Sequence, residues 1–253
     1  MHRFRLFIAG LLSCAGLVVG GLTGHGSIVI SAAVAHETAG DQSKDALGFP
    51  KTSTLWRPIA PIRTCWNMQP QAFTDYAAQR EIVRQAVVNS WEAVSLIRFV
   101  GWQKCTDVNN DGITIVVNDD VPATYGLGNQ LKNKQPGMRL NFEFTHWSTS
   151  CQATKNDCIR IIAVHEFGHA LGFDHEQNRS DTPRSWCFDH DDENFGDVEF
   201  GPWDLDSVMN YCNPKWSGDG NLSQGDIAMV KYYYGDPDAV VSDITPSLYL
   251  LLN

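Results

Sequence analysis

Between positions 165 and 176 the chain reads HEFGHALGFDHE, which places three histidines and two glutamates in one short stretch of a 253-residue sequence with only 8 histidines. His165 and His169 stand four residues apart. On a helix they share a face with Cβ atoms ~5–6 Å apart, so both imidazoles can reach one zinc ion at about 2.0–2.1 Å. A helix continued past Gly172 would carry His175 away, but glycine tolerates positive φ and can turn the chain back, bringing His175 in as a third ligand. Three protein ligands with a fourth position open is the pattern of a catalytic zinc. Glu166 points about 100° away from His165 around the helix. It is placed to take a proton from a zinc-activated water attacking a carbonyl and to pass it to the leaving amine. The chemistry predicted is attack of water on a carbonyl with departure of an amine, with Zn2+ on His165, His169 and His175 and Glu166 as general base. An HExxH string alone arises by chance on the order of once in a hundred chains, and the glycine and third histidine at fixed offsets reduce that to roughly once in tens of thousands.

The elements that must hold this stretch can be read from periodicity. A helix is predicted over 157–172, capped by Asn156 or Asp157 and stopped by Gly172. A longer helix is predicted over 74–97, capped by Thr74 or Asp75, with Val83, Val87, Trp91 and Val94 as one apolar stripe. A third helix is predicted over 223–235, ending at Gly235. Strands are predicted at 61–68, 97–103 and 112–118. A fourth, at 138–144, sets Met138, Leu140, Phe142 and Phe144 on one face and Arg139, Asn141 and Glu143 on the other, as a half-buried strand at a sheet edge does. Residues from 173 to about 205 show little periodicity and read as loops held by a disulfide.

The chain carries 19 Lys+Arg against 29 Asp+Glu, a formal net charge of -10, and is 43% apolar. That supports one good-sized domain and excludes disorder and a nucleic-acid partner, since phosphate binding calls for clustered basic residues. Residues 1–35 read as a signal peptide: Arg3 and Arg5, a Gly-rich apolar run, and Ala33-Val34-Ala35 before a cut at His36. The competing readings are an uncleaved membrane anchor and, more weakly, a lipoprotein at Cys14. A secreted chain with no stable membrane association is therefore expected. It retains Cys65, Cys105, Cys151, Cys158, Cys187 and Cys212, an even set with 15 conceivable pairings. The pairs Cys65–Cys105, Cys151–Cys158 and Cys187–Cys212 are one guess among them. Residues 36–55 read as a linker or short pro-segment, 56–235 as the catalytic domain, and 236–253 as a tail without a legible role.

The stretch HEFGHALGFDH matches the metzincin zinc signature H-E-x-x-H-x-x-G-x-x-H, and DLDSVMNYC supplies the Met-turn of that clan with Met209 beneath the metal. Within it, GFDHEQNRSD and SVMNY resemble the astacin branch, with matrixin-like peptidases as the near neighbour. The resemblance implies an α+β metzincin (zincin-like) catalytic domain with a twisted, mostly parallel sheet, two long helices and a small C-terminal subdomain below the cleft. It implies that Tyr211 is an extra zinc ligand or a donor to the oxyanion, and that the 138–144 strand pairs with a protein or peptide substrate. It implies that CNPKWSG (212–218) lines the primed-side pocket through Lys215 or Trp216. In astacins the residue matching Glu176 meets the buried mature N-terminus. The segment DTPRSWCFDHDDENFGD departs from the astacin pattern.

Ca2+ is a second candidate ion, at Asp107, Asn109, Asp111 and Gly112 or at the acidic run 189–194. However, Asn118 stands where a calcium loop needs a bidentate glutamate, which favours a plain polar turn. The rival functions are a zinc-bearing non-proteolytic binding protein and a calcium-dependent interaction module.

Overall fold

The computed structural model describes residues 48–57, 59–106, 111–187 and 196–239. The signal segment with Cys14, residues 36–47, Asp107 and Asn109, the 189–194 run and the tail from residue 240 lie outside the described residues.

Five short strands form one sheet: β1 (Ile62–Trp66), β2 (Phe99–Lys104), β3 (Ile113–Val117), β4 (Ala123–Thr124) and β5 (Met138–Leu140), in the order β2-β1-β3-β5-β4. β1 runs parallel to both β2 and β3, and β3 runs parallel to β5; β4 alone is antiparallel. The β-branched run ITIVV of β3 lies inside this sheet, and its first three residues are buried, as a strand covered on both faces requires. The mostly parallel sheet is the architecture expected.

The edge differs from expectation. The strand predicted at 138–144 is not the edge: β5 has β3 on one side and β4 on the other, and it stops at Leu140. Met138, Leu140, Phe142 and Phe144 are all buried as the alternation requires, but Asn141 is buried with them. Its side chain accepts from the Glu143 and Phe144 amides and donates to Asp119 Oδ1 and the Asp120 carbonyl. Those bonds fold the chain out of the strand, which is how Asn competes with a ladder. A two-residue strand such as β4 carries no alternation to read.

The helices are α1 (Pro70–Asp75), α2 (Ala77–Val88), α3 (Thr149–Ala153), α4 (Lys155–Ala170) and α5 (Gln224–Tyr234). The helix predicted over 74–97 is displaced. It begins at Pro70, breaks at Tyr76 (φ -93°, ψ 26°) and ends at Val88. Thr74 and Asp75 cap nothing; the Thr74 hydroxyl donates back to the Pro70 carbonyl. The stripe still does its work: Val83, Val87 and Trp91 are fully buried, Trp91 from beyond the helix end. The Trp91 indole donates to the Val164 carbonyl at 2.8 Å, tying this segment to α4, against which α2 packs. α4 begins at Lys155, so Asp157 sits inside its first turn and Asn156 and Asp157 are not the cap. α5 matches its prediction within a residue, with Ser223 and Asp226 forming a capping box.

The three disulfides are Cys65–Cys105, Cys151–Cys158 and Cys187–Cys212, the pairing guessed. Residues 48–55, the end of the segment read as a linker or short pro-segment, pack against the core. Phe49, Leu55 and Trp56 are buried, the Phe49 carbonyl accepts from the Asp174 amide, and the Lys51 amide donates to the Gly172 carbonyl.

Candidate metal centre

α4 brings His165 and His169 to one face, and the turn at its end brings in His175. Gly172 sits at φ +98°, its amide bonds the His169 carbonyl and the next amide, of Phe173, bonds the Gly168 carbonyl. That is the glycine-closed helix end in which the orphan carbonyls are satisfied by a left-handed residue. A Cβ at Gly172 would also lie 3.0 Å from Leu55 Cδ2. The Nε2 atom of His175 lies 3.2 Å from that of His165 and 3.1 Å from that of His169.

The outer ring nitrogens decide what these three atoms offer. His165 Nδ1 is 2.8 Å from the Val208 carbonyl and His169 Nδ1 is 2.8 Å from the Phe173 carbonyl. A carbonyl only accepts, so each Nδ1 carries the proton and each Nε2 presents a lone pair to the common point. A cation at that point would accept both lone pairs, together with that of His175 in its Nε2-unprotonated tautomer. Two nitrogens on a tetrahedral zinc at ~2.05 Å stand about 3.3 Å apart, so the donor set and its spacing fit zinc. Burial and the neighbouring imidazoles hold His169 well below the ordinary histidine range, the neutral form that ligation requires.

The acceptor for His165 belongs to a braced turn. Val208 N and Ser223 N donate to Asp226 Oδ2, and the Ser207 hydroxyl donates to Asp226 Oδ1. Asp226 is buried, and burial raises its carboxyl to about 6 despite these donors. Met209 lies directly under α4: a Cβ placed on Gly168 would come 2.3 Å from its Sδ, so only glycine lets the helix settle on this turn.

Glu166 lines the same cavity as His165. It is 5% exposed, and the Thr124 hydroxyl lies 2.7 Å from its Oε2. Burial pushes its carboxyl up to about 7, against the pull of that hydrogen bond. Tyr211 stacks on His165, with ring centroids 5.1 Å apart and planes 16° apart, and its Oη is 3.3 Å from His165 Nε2. A cavity of about 330 Å³ opens beside His165 and Glu166, lined among others by Val121, Trp147, Ile162, Tyr211 and Trp216. Trp216 lines it and Lys215 does not, and Trp147 lies 6.3 Å from Trp216 between ring centroids.

All five residues singled out in the sequence, His165, Glu166, His169, His175 and Tyr211, are therefore brought together. Glu176 is buried against internal partners. Its Oε1 accepts from the Asp204 amide and lies 3.5 Å from Arg179 Nε, both side chains being 1% exposed. Arg179 also donates to the Gly48 carbonyl, 2.7 Å away, and to the Phe200 and Gly201 carbonyls. Of the calcium candidates, Asp111 forms an exposed 4.0 Å pair with Arg63 among the described residues. Sequence reasoning missed Thr124, Trp147 and Arg179, for which no spacing gives a signal. It also missed Asp226, although Ser223-Gln224-Gly225-Asp226 is a legible capping box.

Comparison with known proteins adds a family. The model of the matrixin (peptidase M10) family matches residues 63–192, just over half of the chain. Embryonic protein UVS.2 of Xenopus laevis is 28% identical over 160 residues, covering 58% of this chain. The chain spans about a quarter (27%) of the length of that relative. Two structures of myroilysin each align over 74% of this chain at 18% identity and a TM-score of 0.49, covering 98% and 88% of their own chains.

Proposed function

This chain belongs to the matrixin family, a branch of the metzincins, and we propose that it is a zinc-dependent endopeptidase acting on protein or peptide substrates. One observation carries the reading: three imidazole Nε2 atoms converge, two of them with their outer nitrogens fixed by carbonyls, and a buried carboxylate lines the same cavity as His165. His165, His169 and His175 are the metal ligands. Zinc held there supplies a Lewis acid that polarises the scissile carbonyl and brings the pKa of a water towards ~7.

The remaining work falls to the chain. Glu166 takes the proton of the attacking water as its oxygen bonds to the carbonyl carbon. The same carboxyl then returns the proton to the amide nitrogen as the carbon–nitrogen bond breaks. Tyr211, 39% exposed with its hydroxyl beside His165, donates to the developing oxyanion or joins the ligand set. In this reading Tyr211 is the site detail that resembles the astacin branch, although the matched family is matrixin. The outer edge of β4 takes the substrate as an added strand, replacing the 138–144 segment in that role. The indole-lined cavity takes an apolar side chain next to the scissile bond. The catalytic unit extends back to Gly48. The three disulfides support secretion after removal of residues 1–35, since such bonds persist in oxidising compartments.

The test is casein cleavage with metal content, for the wild type and Glu166→Ala. Wild type with one zinc and activity, beside a variant with one zinc and no activity, supports the mechanism. Equal cleavage by both removes Glu166 as the base, and zinc-free active protein removes the metal.

A further inference from the structure

β4 does two things at once. Its backbone closes the sheet, with Ala123 opposite Arg139 and Thr124 opposite Met138. Its Thr124 side chain crosses to α4, where the hydroxyl lies 2.7 Å from Glu166 Oε2 and 3.2 Å from the Glu166 backbone oxygen. A hydroxyl has one proton to give, and the shorter contact to the carboxylate takes it. A glutamate side chain has three rotatable bonds, and Glu166 is fixed by burial on a helix with one oxygen tied to this strand. Arg139 stiffens the strand from behind: its Nε donates to the Val121 carbonyl at 2.7 Å and its guanidinium reaches Asp120 Oδ2 at 3.1 Å.

We propose that Thr124 is a positioning residue for the reaction, holding Glu166 through Oε2 so that Oε1 alone exchanges the proton. This rests on the endopeptidase reading above. A carboxylate whose Oε2 already accepts a hydrogen bond offers its less occupied oxygen to the water. The residue that fixes the base also belongs to the edge on which an extended peptide would add. Substrate backbone and proton acceptor are thereby referred to one two-residue element, and a shift in the edge strand is a shift in the base. Positioning of this kind acts on the chemical step, where small misplacements are costly.

The test compares wild type, Thr124→Val and Thr124→Ser as zinc-loaded proteins. Valine keeps shape and strand preference but has no hydroxyl; serine keeps the hydroxyl. Thr124→Val is expected to lower kcat roughly 10- to 100-fold with KM within about threefold, as for loss of a hydrogen bond to a charged group. Zinc content and Tm stay at wild-type values, and Thr124→Ser recovers most of kcat. A readout independent of turnover is the δ-13C resonance of Glu166, assigned with Glu166→Gln, which shifts in Thr124→Val and not in Thr124→Ser. Wild-type kcat in Thr124→Val overturns the proposal, as does an equal loss in both variants, since the hydroxyl would then not be the cause. A wild type that binds zinc and cleaves nothing overturns the endopeptidase reading and this proposal with it.

Discussion

Gly168→Ala separates two forces that act in opposite directions at the centre of α4. In a helix interior alanine is favoured over glycine by about 1 kcal/mol, so propensity alone predicts a stabler protein. The packing predicts the reverse. The new Cβ would lie 2.3 Å from Met209 Sδ and 3.2 Å from both Met209 Cε and Trp91 Cζ2. Comfortable contacts between such atoms are ~3.5–4.0 Å, so the sulfur must retreat by more than about 1 Å. Met209 is 1% exposed and Trp91 fully buried, so neither has open space to enter. Overpacking of this kind costs ~1–3 kcal/mol, and a displacement this large belongs at the upper end. The net expectation is a loss of about 1–2 kcal/mol, or several degrees in Tm at ~2–4 °C per kcal/mol for a domain of this size. The retreat also drags the neighbouring Val208 carbonyl, the acceptor of His165 Nδ1. Zinc affinity should therefore fall on the order of tenfold, the usual effect of disturbing a ligand's hydrogen-bond partner. Thermal melts of zinc-loaded protein and competition with a chelator measure both quantities. Introduced on top of Met209→Ala, the same change should turn neutral or stabilising, a coupling that a double-mutant cycle reports directly. A rise in Tm with unchanged zinc affinity for Gly168→Ala in protein that keeps Met209 would refute the packing argument and leave propensity as the controlling force.

Three further outcomes follow from buried groups and cross-links. Asp226 titrates at about 6 when folded against an ordinary 3.8, so its contribution to stability is fully present below the unfolded value and lost as pH rises through 6. The loss is about 3 kcal/mol in all, shed mostly between pH 4 and 6, and urea melts of Asp226→Asn against wild type should converge with that pH dependence removed. Arg179→Met strands Glu176 and the Gly48, Phe200 and Gly201 carbonyls it serves, and should cost about 3–5 kcal/mol in urea unfolding; a cost under ~1 kcal/mol would mean the guanidinium is not bracing this region. Replacing Cys65 and Cys105, separated by 40 residues, should cost about 1.5 kcal/mol more than replacing Cys151 and Cys158, separated by 7, because the longer loop frees more unfolded-chain entropy. Equal costs for the two pairs would place the stabilisation in the folded state instead.

What could be read in the sequence was what local geometry dictates. The 165/169 spacing fixes a shared helix face, and Gly172 announces the reversal that returns His175, so the convergence of the three histidines was legible from one stretch. Val83, Val87 and Trp91 were legible as a buried stripe even though the helix ends before Trp91, because burial depends on where side chains point and not on where the helical bonds stop. The edge strand was not legible. Two residues cannot show a period, and the long alternation at 138–144 drew the assignment that belonged to β4. Asn141 broke that alternation by bonding its own neighbours, a local contest that pattern alone does not decide. Arg179 and Thr124 were missed for a different reason: their partners, Gly48 and Glu166, lie far off in sequence and meet them only after the fold is made.

The anchoring of the third histidine bears on how the molecule comes to be finished. His175 follows Asp174, whose amide is held by Phe49, while Trp56 bonds Tyr234 across 178 residues and Thr52 bonds Asp197 across 145. During synthesis the stretch 48–57 leaves the ribosome well before its partners at 172–174, 197 and 234. Contacts closed over such distances come late and slowly, since loop entropy must be overcome before they form. The spacing of the three nitrogens is thus tied to contacts that join the two ends of the described chain, and under the proposed function a chain lacking either end would not complete the site.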